Sequence, residues 1–390
     1  GWDADKTFHV PEDARVELGS AVDSGAASES EWTARFEAYR QAHPELADEW
    51  TRRNTGDLPE RWAESLPAFE AGEKLATREA SGKILNAAAA ALPELLGGDA
   101  DLSSSTKTAL KEETSFDGAT GEGRNLHFGV REHAMGGIVN GVAYHGGVRA
   151  YASTFFVFSD YMRPSMRLAA LSGLPAIYVF THDSVGVGED GPTHQPVEHL
   201  AALRSIPNLH VVRPADSSET REAWRHAVER TSGPTALVLT RQKIANLDRD
   251  DLGPATELHR GAYVLSDPSG AGAPDAILIG TGSEVTVALA AQATLEETGV
   301  RCRVVSMPCW ELFEAQDADY RESVLPRDVT ARVSVEAGVS LGWARYHGDR
   351  GVAVAVDRFG ASAPGGVVFA ELGITAERVA AVARGLLEPG

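Results

Sequence analysis

From Glu73 to Lys243, short apolar runs alternate with amphipathic stretches, and at Gly261 the alternation begins again. This rhythm narrows the fold more than any single residue does. A buried strand, a helix and another buried strand pack best as parallel strands with helices laid over the sheet. In the first block, AIYVF (176–180), LHVVRP (209–214) and TALVLT (235–240) read as strands. A helix is expected over about 77–92 with Thr77 as its N-cap, and a Gly-rich helix over 132–145. In the second block, AILIG (276–280), RCRVVSMP (301–308), TARVSVEAG (330–338) and GVAVAVDRFG (351–360) read as further strands. The turn Gly280-Thr281-Gly282-Ser283 reads as a plain connection rather than a phosphate cradle, because a lone G-x-G carries little information. The expected fold class is therefore α/β: two consecutive α/β domains with largely parallel sheets, over 73–250 and 251–390.

Residues 1–72 are expected to form a helical arm. Ser28-x-x-Glu31 reads as a capping box ahead of Trp32, Phe36 and Tyr39, and Pro44 separates a second short helix. The chain begins at Gly1, which fits the later part of a longer polypeptide. A net charge of -20 argues against nucleic acid and anionic membrane as partners. No apolar run approaches the ~20 residues of a membrane-spanning helix. With Cys302 and Cys309 as the only cysteines, neither a disulfide framework nor a Cys-rich metal site is expected, which fits a cytoplasmic setting.

Residues 181–196, THDSVGVGEDGPTHQP, follow the strand AIYVF. A Gly-rich loop crowded with titratable groups at a strand end is a common way to build an active site in this fold class. His182, His194 and His199 suggest a metal site only weakly, since Pro196 breaks any common helical face. No metal ligand is assigned.

Eight separated motifs, in order, resemble the transketolase family: LATREASG (75–82), GGDADLSSS (97–105), HFGVREHAMGGIVNG (127–141), TFFVFSDY (154–161), THDSVGVGEDGPTHQP (181–196), VVRPADSSET (211–220), LTRQ (239–242) and VVSMPCWELF (304–313). The resemblance implies a thiamine-diphosphate-dependent transferase. It would move a two-carbon ketol unit between phosphorylated sugars such as xylulose 5-phosphate and ribose 5-phosphate, in the pentose phosphate pathway. The matching regions are the family's pyrimidine-binding and C-terminal domains. No Gly-Asp-Gly occurs, so the diphosphate-binding domain is expected to be absent. On that expectation the chain is inactive alone and needs a diphosphate-binding domain or subunit. Mg²⁺ or Ca²⁺ ligands would then lie outside it, and it would assemble as a homodimer or heterotetramer.

By the same resemblance, Glu132 is the catalytic carboxyl that engages the cofactor's pyrimidine ring. This role demands burial beside apolar groups. Phe155, Phe158 and Tyr161 would line the pyrimidine pocket, with Asp101 near the cofactor. Arg78, Ser105, His182 and Arg241 would hold a sugar phosphate. Asp190 would read a sugar hydroxyl, and His194 the oxygen at the reacting carbon. Dihydroxyacetone synthase and deoxyxylulose-phosphate synthase are related readings; VVRPADSSET and the Arg-Gln pair favour transketolase over deoxyxylulose-phosphate synthase, whereas dihydroxyacetone synthase shares more of the pattern. A non-catalytic binding module is the remaining one.

Overall fold

The computed structural model describes residues 2–268 and 272–388. The chain divides into two compact units, Gly1–Asp57 and Leu58–Gly390. The first holds α1 (Glu12–Ala42) and α2 (Pro44–Thr55). Pro44 sits at the first position of α2, where its fixed φ and missing N–H cost nothing. Trp32 stacks on Phe36 at 5.1 Å between centroids, and Trp50 of α2 lies 4.7 Å from Phe36. These aromatic contacts hold the two helices together.

The expected capping box does not form. α1 is already underway at Glu12, so Ser28 and Glu31 lie in its middle. Acidic Glu12 and Asp13 in the first turn favour the earlier start, and the alanines between them and Ser28 carry the helix through.

Among the described residues, the second unit contains three sheets. Six parallel strands form the first: β2 (Leu95–Asp99), β3 (Asn125–His127), β4 (Arg149–Phe155), β5 (Ile177–Thr181), β6 (His210–Val212) and β7 (Thr235–Leu239), in spatial order β3-β2-β4-β5-β7-β6. The second sheet has order β13-β12-β10-β11-β9, from β9 (Tyr263–Ser266), β10 (Ala276–Gly280), β11 (Cys302–Ser306), β12 (Arg332–Val335) and β13 (Val352–Val354). All its pairings are parallel except β9 with β11. A two-stranded antiparallel ribbon joins β1 (Lys74–Ala76) to β8 (Lys243–Ala245). The fold is thus α/β with largely parallel sheets and a helical N-terminal arm.

Apolar side chains of β2, β4, β5 and β7 face helices on both sides of the first sheet, as buried parallel strands require. On one side lie α3 (Thr77–Ala91) and α8 (Ser217–Glu229); on the other lie α5 (Glu132–His145) and α6 (Ser159–Leu171); the short α4 (Ser103–Thr106) follows β2 and the short α7 (His199–Arg204) precedes β6. Two glycines allow this closeness. A Cβ on Gly98 would fall 1.8 Å from the Leu126 carbonyl, and one on Gly136 would fall 2.8 Å from Ser165 Cβ. So Gly98 lets β3 lie against β2, and Gly136 lets α5 lie against α6.

Thr77 is not an N-cap. Ala76 holds that position, and the Glu79 carboxylate accepts its backbone N–H at 3.1 Å. Thr77 is instead the first helical residue; its hydroxyl accepts the Thr240 N–H at 2.7 Å and ties α3 to the end of β7.

A buried charge network joins the two large sheets. Arg213 follows β6, and its guanidinium donates to Asp183 Oδ2 at 2.7 and 3.0 Å, to the Thr281 carbonyl at 3.0 Å, and to Glu284. Arg204 forms a fork on Glu336 at 2.8 and 2.9 Å, beneath Trp310 and Trp343, and Trp343 Nε1 also donates to Glu336. Burial alone would lower the Arg213 pKa. Glu284, Asp183 and Glu336 outweigh it and hold the group above its ordinary value. The turn at Gly282 therefore carries Arg213: a Cβ there would lie 2.7 Å from Arg213 Cζ.

Candidate active site

Apart from Arg78, which lies in the first turn of α3 after the ribbon strand β1, the expected site residues lie at or beyond the carboxyl ends of strands in the first sheet. That edge is where open parallel sheets place ligands. Asp101 and Ser105 follow β2, Glu132 follows β3, Phe158 follows β4, His182 follows β5 and Arg241 follows β7.

Glu132 opens α5 and is buried. Its Oε1 accepts the hydroxyl of buried Thr154 at 3.2 Å. With Val130, Phe158 and Tyr161 it lines an open cleft of about 640 Å³. Phe155 stacks on Phe158 at 6.1 Å and 12°, and Phe158 continues the stack to Tyr161 at 6.2 Å. A buried carboxyl beside an aromatic wall has the chemistry that an aminopyrimidine ring needs: one hydrogen-bonding acid group and a flat apolar face. These residues fit the pyrimidine end of thiamine diphosphate.

Phe155 also connects this cleft to the loop after β5. Its ring lies 3.7 Å from that of His182, and the His194 ring meets Phe155 and Phe158 edge-on at 6.4 and 5.6 Å. His182 has φ 63°, a left-handed conformation uncommon for a side chain of its size. The twist turns its ring into the site. Arg78 Nη1 reaches His182 Nε2 at 3.3 Å and donates to the Ser105 carbonyl at 2.8 Å.

These contacts set the tautomer of His182. Guanidinium can only donate, so Nε2 is the acceptor and Nδ1 carries the proton, donated to Thr181 Oγ1 at 2.8 Å. Burial, then the nearby Arg78, Arg241 and His194, push the His182 pKa down to about 3. The imidazole is neutral at physiological pH. Burial and then Arg241 also lower the Arg78 pKa. Two guanidinium groups and a neutral imidazole thus face one region that, among the described residues, no carboxylate neutralises with an ion pair, a natural place for a dianion.

Two expected residues stand further out. Asp101, in a left-handed turn, and Asp190, in the loop after β5, are both exposed, and their side chains make no hydrogen bond among the described residues. His199 does not join His182 and His194. It faces Asp160 Oδ2 at 3.2 Å and Glu198 Oε2 at 3.8 Å. Asp183, one of the titratable groups that drew attention to the loop, is committed to Arg213. Thr154, whose polarity within TFFVFSDY points to a pocket wall but assigns it no partner, is the one described hydrogen-bond partner of the Glu132 carboxylate.

Residues 73–246 match the family model of the transketolase pyrimidine binding domain, and residues 261–375 that of the transketolase-like C-terminal domain. A chloroplastic transketolase of Craterostigma plantagineum is 49% identical over 394 residues, spanning 99% of this chain and 74% of that protein. The chain belongs to the transketolase family. The transketolase of Geobacillus stearothermophilus is 52% identical over 387 residues, which cover 99% of this chain. The chain spans 58% of the length of that relative. Among solved structures, transketolase from Leishmania mexicana matches with a TM-score of 0.91 at 41% identity, over 98% of this chain and 55% of that one. A Pichia stipitis transketolase in complex with xylulose 5-phosphate matches with a TM-score of 0.92 at 38% identity, over 98% and 56%.

One expectation is overturned. Residues 1–59 match the model of the transketolase thiamine diphosphate binding domain, so that domain is represented in the chain. Gly-Asp-Gly is a single loop motif, whereas the matched stretch is mostly α1 and α2. The inference that the chain is inactive and needs a separate diphosphate-binding partner rested on the supposed absence and loses its ground.

Proposed function

We propose that this chain carries out thiamine-diphosphate-dependent transfer of a two-carbon ketol unit between a phosphorylated ketose and a phosphorylated aldose, a step of the pentose phosphate pathway. The observation that carries this reading is that Phe155 links the Glu132 cleft to the Arg78–His182 pair. Thiamine diphosphate, when bound, supplies the carbon nucleophile that breaks and remakes the carbon–carbon bond. A divalent cation, Mg²⁺ or Ca²⁺, would accompany the diphosphate. Residues 73–250 would serve as the pyrimidine-binding domain and 251–390 as the C-terminal domain.

Each residue then has a task. Glu132 hydrogen-bonds the pyrimidine ring nitrogen and shares a proton with it, while Thr154 fixes the carboxyl. Phe158 offers the stacking face, flanked by Phe155 and Tyr161, and Asp101 borders the cofactor. Arg78 and Arg241, with Ser105 and His182, hold the sugar phosphate at the far end. That contact fixes the distance from phosphate to reacting carbon. Asp190 accepts from a sugar hydroxyl. His194, wedged against Phe155 and Phe158, hydrogen-bonds the oxygen at the reacting carbon, where it can hold or return a proton.

Assembly is proposed as a cytoplasmic homodimer. Val130, Ile138 and Tyr144 at α5, and Tyr161, Leu168 and Leu171 on α6, are large apolar side chains at least half exposed. Clustering of this kind on two neighbouring helices favours self-association.

The test is an assay of purified protein with thiamine diphosphate, Mg²⁺, xylulose 5-phosphate and ribose 5-phosphate. Formation of a seven-carbon ketose phosphate is expected. Ketol transfer that proceeds equally well without thiamine diphosphate would overturn the reading.

A further inference from the structure

The chain has six lysines, and four of them line one cleft. Lys83 comes from α3, Lys107 and Lys111 from the segment after β2, and Lys243 from the start of β8. The hydroxyl-bearing Ser103 and Ser104 line the same cleft, whose volume is about 500 Å³. Leu75 and Ala109 supply apolar surface.

This concentration runs against the charge of the molecule. Carboxylates outnumber Lys and Arg by 56 to 36 across the chain, so partners for a lysine are plentiful. Yet Lys107, Lys111 and Lys243 have no ion-pair partner among the described residues; only Lys83 has one, Glu73 at 3.2 Å. Glu79 also lines the cleft, and its carboxylate is spent on the Ala76 N–H. Three unpaired ammonium groups held at one concavity repel one another, a cost that a bound anion removes.

The cleft is not the phosphate cluster proposed above. Both draw on the same three chain segments, but no lining side chain is shared. Ser103 and Ser104 precede Ser105, Lys243 lies two residues beyond Arg241, and Lys83 lies five beyond Arg78.

We propose that this lysine cleft is a second anion site, which binds a small polyphosphate. Lysines act as mobile point charges suited to phosphate oxygens, and the two serine hydroxyls add donors. The volume admits a compact ligand bearing two or more phosphoryl groups.

Isothermal titration of the full chain with inorganic pyrophosphate, with saturating ribose 5-phosphate present to fill the Arg78 cluster, tests this. Saturable binding at one site per chain is expected, weakened by added salt. The double variant K107Q/K111Q should weaken it by roughly tenfold or more, because two of the charge-assisted contacts are lost. Arg78→Gln should leave it unchanged, which separates this cleft from the sugar-phosphate cluster. Pyrophosphate should also shield Lys107 and Lys111 from acetylation read by mass spectrometry, a measurement that needs no variant. Absence of saturable binding overturns the proposal. So does binding that Arg78→Gln abolishes and the lysine variant retains, or lysine acetylation that pyrophosphate does not slow.

Discussion

Arg78 Nη1 lies 3.3 Å from His182 Nε2, and the two side chains come from the N-terminal turn of α3 and the end of β5, 104 residues apart. Because the guanidinium donates, the imidazole must accept and stay neutral. The pair is therefore a cation held in place by a neutral base, a suitable mount for a phosphate dianion. Arg78→Gln removes the charge and shortens the side chain, leaving only a neutral amide. It should raise KM for a phosphorylated sugar by roughly tenfold or more with a smaller change in kcat, since a charge-assisted contact common to ground and transition states is lost. Steady-state kinetics with phosphorylated and unphosphorylated acceptors checks this, and equal losses on both would remove Arg78 from phosphate binding.

Protons should destabilise the fold in mild acid. Burial, then Arg78 and other neighbouring cations, push the His182 pKa down to about 3. Burial, then Arg230 and His226, push His210 to about 3, and burial, then His259 and Arg230, push His226 to about 4. His210 and His226 stack at 5.2 Å and share a hydrogen bond of 3.0 Å, which requires that at least one be neutral. Each group takes up its proton more readily in the unfolded chain, near pH 6.5. Their stabilisation is complete above that value and is lost as pH falls from about 6.5 toward 3–4. Thermal unfolding followed from pH 8 to 4 should show a falling midpoint below about 6.5, with a smaller fall in His210→Gln/His226→Gln. A flat profile down to pH 5 contradicts the assignment.

How much of this was legible in sequence follows from how local each feature is. The strand runs and the Glu132–His145 helix were readable because periodicity and glycine placement are encoded within a dozen residues. The continuity of α1 through Ser28 was not, because the capping pattern is the same whether or not a helix has already begun. Thr77 misled for a similar reason: its partner, Thr240, lies 163 residues away. The loop at 181–196 was correctly placed at a strand end, but nothing local distinguished Asp183, buried against Arg213, from Asp190, exposed further along the same loop. The lysine cleft is gathered from separate segments and has no motif at all.

Arg213 should be indispensable to the packing of one large sheet against the other. It is fully buried and satisfies Asp183 and Glu284 together. Arg213→Met leaves both carboxylates buried without their cation, a loss expected to cost about 3–5 kcal/mol. Chemical denaturation monitored by far-UV circular dichroism reads this, and a midpoint equal to that of the parent protein would rule the network out as a structural tie.

The central claim concerns Glu132, buried at the head of α5 with Thr154 on its carboxylate and Phe158 across the cleft. Its most direct test is the turnover of Glu132→Gln at saturating thiamine diphosphate, with thermal unfolding measured in parallel. Glutamine preserves the shape and the hydrogen bond to Thr154 but cannot share a proton with the pyrimidine ring. The account predicts a fall in kcat of about two orders of magnitude or more, in a protein that unfolds at the same temperature as its parent. Near-normal kcat in the folded variant would contradict it.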